Sequence, residues 1–216
     1  MDPTAELQCM QRVDANKLQQ VVSFGVPSSV GLTPVADNVT AFLDVAVRLK
    51  ESKIAALPMI LGSNANEGTE FGAFNESGMS LQQYRNGFAI IGCPVSGETH
   101  RRADAGLVTY RYEYAGNFSN VSPLPWIGAT HSAELPLLFG THYEYRGNST
   151  AFEWDVSASM QALWLSFASD PNKEPKNTAG FSWLKYKTGT DNMALFADSE
   201  KVAQLVSGDR VDSYCR

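Results

Sequence analysis

Two segments with strand chemistry, separated by text that reads as helix, constrain this chain more than any other feature. Ala55-Ala56-Leu57-Pro58-Met59-Ile60-Leu61-Gly62 is short, apolar on both faces and bounded by turn residues, which reads as a buried strand. Pro58 lacks a ladder donor and fits such a strand only at its first rung. Val108-Thr109-Tyr110-Arg111-Tyr112-Glu113-Tyr114 is the clearest strand, rich in β-branched and aromatic residues. Between the two, the pattern predicts a helix near 79–87 and a second from Cys93-Pro94 to Ala105. Strands joined through helical crossovers pair in parallel, so the expected fold is α/β: a mostly parallel sheet flanked by helices.

The remaining text fills in around that sheet. Residues 4–22 read as helical through Leu7, Met10, Val13, Leu18 and Val21, although Asp14 is placed to cap a second, separate helix. Residues 23–38 read as loop, followed by a short helix over 41–50. The stretch 116–133 is irregular. Phe152, Val156, Met160, Leu163 and Phe167 step by 4, 4, 3 and 4 and mark one apolar face of a helix over 151–169, which stops before Asp170-Pro171. Strands at 182–187 and 193–197, joined by Thr188-Gly189-Thr190-Asp191, are expected to form a terminal hairpin. No repeat interrupts the chain, and 1–216 reads as one partial domain.

Composition narrows the function classes. With 17 Lys+Arg against 23 Asp+Glu the net charge is −6, which excludes a phosphate-backbone binder and so predicts no nucleic-acid partner. The longest apolar run, Ala55 to Gly62, is too short to span a bilayer. Five Asn-x-Ser/Thr sequons, at Asn38, Asn75, Asn117, Asn120 and Asn148, point to a secreted glycoprotein. Yet Met1-Asp2-Pro3-Thr4-Ala5-Glu6 has neither the basic head nor the apolar stretch of a signal peptide. Three cysteines, Cys9, Cys93 and Cys215, leave one without an intrachain partner. Together these features suggest a piece of a longer chain whose signal peptide lies upstream.

Open α/β sheets carry their chemistry outside the carboxyl ends of the strands. Glu67 follows the first strand directly, with Gly68 permitting a tight turn; it is either a positioned acid or a solvated loop carboxylate. His131 lies in the long loop after the second strand, where its ring can turn into a cleft or simply face water. His100 and His142 read as structural. A carboxylate and an imidazole from successive strand ends suggest an orienter and a general base. The serine they would activate needs Gly-x-Ser-x-Gly on a strand-to-helix turn, and that motif occurs nowhere in residues 1–216. The histidines lack metal-ligand spacing and no nucleotide loop is present, so no metal and no cofactor are expected.

The segments around both residues resemble a known family. Leu57-Pro58-Met59-Ile60-Leu61-Gly62-Ser63-Asn64-Ala65-Asn66-Glu67-Gly68-Thr69-Glu70-Phe71 is similar to the acid-bearing segment of type B carboxylesterases, the cholinesterase and fungal lipase family of α/β-hydrolases. Gly128-Ala129-Thr130-His131-Ser132-Ala133-Glu134-Leu135-Pro136-Leu137-Leu138-Phe139-Gly140 is similar to that family's histidine segment. Cys93-Pro94, Trp164 to Ala168 and Trp183 add to the match. The likeness covers essentially the whole chain and corresponds to the C-terminal part of a family member.

The resemblance implies acyl transfer through a serine, a glutamate and a histidine, with hydrolysis of a small-molecule or lipid carboxylic ester. Glu67 would be the acid and His131 the base, while Glu134 matches an acid buried near the triad in cholinesterase-like members. It further implies a Cys93–Cys215 disulfide, which by closing a long loop would add ~2–4 kcal/mol, and leaves Cys9 unpaired. The serine and the oxyanion loop would lie upstream, so the chain alone is expected to be inactive. Two other readings stay open: a non-catalytic binding or adhesion module, and a stand-alone, non-enzymatic remnant. Strands built for burial, deprived of neighbours, would also leave an open apolar sheet edge.

Overall fold

A computed structural model of the chain describes residues 2–21, 35–69, 75–78, 80–122 and 124–215. Most of the loop expected at 23–38 lies outside the described residues. The chain divides into two compact units, Met1–Val45 and Ala46–Arg216. In the first, helix α1 (Pro3–Met10) is capped by Asp2, and α2 (Ala15–Gln20) by Asp14, whose carboxylate accepts from the Asn16 and Lys17 N–H groups. The expected run over 4–22 is therefore two helices, because Asp14 competes for the backbone donors that a continuous helix would use. Neither helix buries a residue. In the same unit the Asp37 carboxylate collects the Val39, Thr40 and Ala41 N–H groups, which hold it well below the usual carboxylate range.

The second unit carries the sheet. After α3 (Val45–Lys50) come β1 (Met59–Asn64), α4 (Leu81–Ile90), α5 (Gly92–Asp104) and β2 (Thr109–Tyr114). A short α6 (Leu135–Leu138) and the long α7 (Ala151–Ser169) lead to β3 (Met193–Asp198), β4 (Lys201–Val206) and α8 (Asp209–Asp212). The strand order is β1-β2-β3-β4. The first two pairings are parallel and the last is antiparallel. This is the expected α/β architecture, a mostly parallel sheet flanked by helices that ends in a hairpin. Among the described residues no helix is long and apolar enough to cross a membrane.

Strand β2 is the spine of the sheet, and its alternation divides the two faces. Tyr110, Tyr112 and Tyr114 pack with Trp183, Phe196 and the α7 residues Val156, Met160 and Leu163. The last three are fully buried, each contributing about 1.5–3 kcal/mol by leaving water. Phe152 and Phe167 flank them as partly buried members of the same cluster. On the opposite face, Arg111 pairs with Asp212 at 2.6 Å and Glu113 with Arg210. The α7 helix begins on a capping box of Thr150 and Glu153.

Three strand expectations need correction. The Ala55–Gly62 segment enters the sheet only at Met59, after Pro58, and as an edge strand it is buried only at Ser63 and Asn64. Residues 182–187 are not a strand beyond a single bridge between Ser182 and Lys176. Strands β2 and β3 pair only over Tyr112–Tyr114 and Ala194–Phe196, and the 183–186 segment fills the gap where they diverge. There Trp183 Nε1–H donates to the Arg111 carbonyl at 3.1 Å, and Tyr186 N–H to the Thr109 carbonyl at 2.7 Å. The true hairpin joins β3 to β4 through Ser199 and Glu200, both at positive φ. That geometry suits a two-residue hairpin turn, but neither residue type advertises it.

The helices of the polar face are stapled to the C-terminal end. A Cys93–Cys215 disulfide links α5 to the segment after α8, across a sequence separation of 122. One and two turns further along α5, Ser96 and His100 bond Asp212, the latter at 2.7 Å. Cys9 is free and exposed.

Candidate active site

Both candidate residues sit on turns that leave the carboxyl ends of parallel strands. Strand β1 ends at Asn64, and the next turn carries Glu67. Its carboxylate folds back on the strand, one oxygen accepting the Asn64 N–H at 2.7 Å. The other oxygen meets His131 Nδ1 at 2.6 Å. Glu67 is buried, whereas the His131 side chain is 43% exposed. A sealed carboxylate thus holds an imidazole that stands at the surface.

The two loops are strapped together by residues with no signature of their own. Asn66 N–H donates to the Ala129 carbonyl at 2.9 Å, and Ala129 N–H returns a bond to Asn66 Oδ1 at 3.0 Å. Asn64 Nδ2 reaches the Thr130 carbonyl at 2.7 Å and also the Glu134 carboxylate. Thr69 Oγ1 donates to the Ile127 carbonyl at 3.1 Å. Gly128 is required here twice over. Its φ is +69°, and a Cβ would stand 2.3 Å from Asn66 Oδ1. The role expected of Gly68 is different from the one it has: a Cβ on it would meet the Gly87 Cα at 2.7 Å, so it lets the acid-bearing turn close against α4.

Glu134 lies close enough to the pair to feel both its charges. Burial pushes its carboxyl up and the Glu67 charge adds to this, while the Asn64 hydrogen bond and the neighbouring His131 oppose it. The acid expected from the resemblance is therefore tied to the first strand end through Asn64. Sequence reasoning missed Asn64 and Asn66 altogether; a pair of asparagines flanking an acid in a turn is ordinary turn chemistry.

A second histidine–glutamate dyad is buried elsewhere in the same fold. His142 and Glu153 are 0% and 1% exposed, with Nδ1 and Oε1 3.3 Å apart. Ser149 Oγ approaches the same Nδ1 at 2.7 Å, and the Trp154 ring packs edge-on at 4.4 Å between centroids. Gly147-Asn148-Ser149-Thr150-Ala151 is the nearest the chain comes to a nucleophile motif, and it precedes a helix. Its geometry is wrong for a triad, in which the serine and the acid take opposite ring nitrogens. Here both lie on Nδ1. His100, held by Asp212 and Thr188, is likewise structural.

The buried dyad also decides one sequon. Asn120 is buried, and its Nδ2 donates to Glu153 at 2.8 Å, to the His142 carbonyl at 3.0 Å and to Ser149 Oγ at 3.2 Å. A glycan on that nitrogen is incompatible with this structure, which corrects the expectation for Asn120. Asn38, Asn75, Asn117 and Asn148 are exposed.

The chain resembles known proteins along its length. The profile of the carboxylesterase family matches residues 85–213. A chlorogenic acid esterase of Aspergillus niger is 47% identical over 229 aligned positions, covering 100% of this chain and 45% of that protein. Secreted lipase 5 of Gibberella zeae is 37% identical, covering 99% of this chain and 43% of the relative. Acetylcholinesterase-1 of Trittame loki is 27% identical over 56% of this chain. The chain thus spans under half the length of the chlorogenic acid esterase and of secreted lipase 5. With an α/β sheet, an acid and an imidazole joined at successive strand ends, and this degree of identity, the chain belongs to the carboxylesterase family.

Proposed function

We propose that this chain supplies the acid and the base of an acyl-transfer triad, in a secreted enzyme that hydrolyses carboxylic esters. The observation that carries the reading is the 2.6 Å contact between Glu67 and His131 Nδ1, set at adjacent strand ends with the carboxylate buried and the ring exposed. With Nδ1 bound to Glu67, the proton-accepting role falls to Nε2. In the forward step Nε2 takes the proton of a serine hydroxyl as its oxygen attacks the ester carbonyl. Glu67 then stabilises the imidazolium, which returns the proton to the departing alcohol. Water repeats the sequence on the acyl-enzyme and releases the acid. Glu134, bound through Asn64, keeps negative charge near the developing imidazolium.

The nucleophile and its oxyanion donors are not among these 216 residues in any recognisable motif. A secretory setting is supported by four exposed sequons and by the relative named as a secreted lipase. Esters are the substrate class suggested by the names of both relatives. The alternative of a non-catalytic module requires no ordered base, yet here the imidazole is oriented by a buried acid.

The test is hydrolysis of an aryl acetate. The 216-residue chain should show no turnover above its own His131→Ala variant. In a longer chain that includes the serine, His131→Ala should lower kcat by about 10⁴-fold or more. Unchanged kcat in that variant would refute the assignment.

A further inference from the structure

Exposed aromatic rings gather around one sequon. Five Phe, Tyr and Trp side chains are exposed among the described residues, and three of them, Tyr143, Tyr145 and Trp154, lie within six positions of Asn148. Asn38, Asn75 and Asn117 have no exposed ring that close among the described residues. We propose that Asn148 carries an N-linked glycan whose first N-acetylglucosamine lies against the Tyr143–Trp154 pair and fastens the 142–149 loop to the start of α7. The inference rests on the secretory reading and gives the sugar a docking surface on this chain.

The loop's geometry brings the sequon to those rings. The chain bends over 145–147 and then closes on itself, with Ser149 Oγ reaching back to His142 Nδ1 at 2.7 Å. Asn148, next to Ser149, therefore emerges beside the His142 ring. That ring meets Trp154 at 4.4 Å and Tyr143 at 6.1 Å between centroids. Tyr143 and Trp154 stack on each other at 5.5 Å and 19°, which makes a flat, pre-ordered surface. Asn148 is exposed, and a Cβ added to Gly147 before it would meet nothing within 4 Å. The bend has room for a bulky substituent.

The chemistry of the two surfaces matches. N-acetylglucosamine is uncharged, and the faces of its chair present C–H groups whose hydrogens carry partial positive charge, whereas an aromatic face is negative. Stacking covers apolar ring surface while the sugar hydroxyls stay in water. Because Tyr143 and Trp154 already hold one another, little freedom is lost on contact. Attachment replaces one hydrogen of Asn148 Nδ2. The nitrogen bonds the anomeric carbon as the bond from that carbon to the diphosphate of a lipid-linked oligosaccharide breaks. The diphosphate leaves with the electron pair, and the displaced proton passes to a base of the transferase.

The test uses the chain secreted from yeast behind a cleavable leader. Glycopeptide mass spectrometry should find Asn148 occupied. After trimming to a single N-acetylglucosamine, proton NMR should place its axial protons upfield of those in free N-acetylglucosaminyl-asparagine, with Overhauser contacts to Tyr143 or Trp154. In Tyr143→Ala that upfield displacement should shrink. Asn148→Gln should lower the melting temperature by about 2–4 °C, and by less than half as much in the Tyr143→Ala background. Thr150→Ala is unsuited as a control, since Thr150 also caps α7. Should Tyr143→Ala fail to fold, the ring-current shifts and Overhauser contacts of the wild-type glycoprotein decide alone. A bare Asn148 beside occupied sequons, or an occupied one whose sugar protons match the free compound, would overturn the proposal. So would binding of a soluble cello-oligosaccharide at these rings in the glycosylated chain, which would assign the surface to a foreign sugar. Recovery of the native protein from inside the cell, bare at every sequon, would instead refute the secretory reading, while the ring-current signature of the yeast-secreted chain stands or falls separately.

Discussion

Glu67–His131 and Glu153–His142 use the same two residue types to opposite ends. In the first pair the acid is buried and the imidazole is exposed on one side. In the second, both groups are sealed; Asn120 and Ser149 bond to Glu153 and to His142 Nδ1, and the buried Nε2 meets no hydrogen-bonding group among the described residues. Residue identity alone does not separate a base from a structural pair. What separates them is which ring nitrogen is engaged and whether the other side of the ring can meet a reactant. The sealed dyad instead holds the α7 capping box against the turn that carries His142 (142–144).

The contrast is sharpest in stability. Glu153→Ala strands a buried imidazole and a buried amide, and should cost about 3–5 kcal/mol in denaturant unfolding. Glu67→Ala leaves the exposed His131 ring able to turn to water and should cost less, about 1–3 kcal/mol, for the lost bond to the Asn64 N–H. A larger loss at Glu67 than at Glu153 would break the comparison. Asn120→Ala should cost about as much as Glu67→Ala, about 1–3 kcal/mol, since it leaves the Glu153 carboxylate short of a donor. Mass spectrometry of the glycosylated protein should find Asn120 bare in the folded fraction.

Acid response sharpens it further through two carboxylates that lie beside histidines. Burial pushes Asp212 up, but hydrogen bonds from Arg111 and Ser96, with the Arg111 charge and the His100 bond, outweigh it and hold the group at about 2. Its stabilisation is therefore complete above the ordinary value near 3.8 and is lost as pH falls through about 2. Glu134 runs the other way. Its carboxyl is raised, mainly by burial, so its contribution is present below the ordinary carboxylate range and fades as pH rises through the higher folded value. Asp212→Asn should remove part of the acid unfolding transition. Glu134→Gln, which keeps an acceptor for Asn64, should raise stability at pH 7 but not at pH 4. Identical pH profiles for the variants and the parent would contradict both signs.

How much of this could be read in the sequence depends on what kind of physics encodes it. Periodicity placed α7 to the residue, because a 19-residue helix must show a face. The Tyr-Arg-Tyr-Glu-Tyr alternation likewise announced β2, although not that Arg111 and Glu113 would be paired beneath it. Glu67 and His131 were legible through their resemblance and their place at strand ends. The straps that align them were not, since Asn64 and Asn66 look like any turn residues. The β4 strand escaped because Asp198-Ser199-Glu200-Lys201 contains neither glycine nor asparagine to mark a hairpin. Residues 182–187 misled for a tertiary reason: Trp183 and Tyr186 bond to β2 where a strand would otherwise do so. Asn120 was misread because a sequon says nothing about burial.

The account stands most directly on the tautomer of His131, which nitrogen-15 NMR of the labelled chain reads from the two ring shifts. Bound at Nδ1 to Glu67, the neutral ring should carry its proton on Nδ1, the minor form in a free imidazole, and Glu67→Gln should return the population toward the Nε2–H form. A wild-type ring already in the Nε2–H form, unchanged by Glu67→Gln, would contradict the claim that Glu67 prepares His131 as a base.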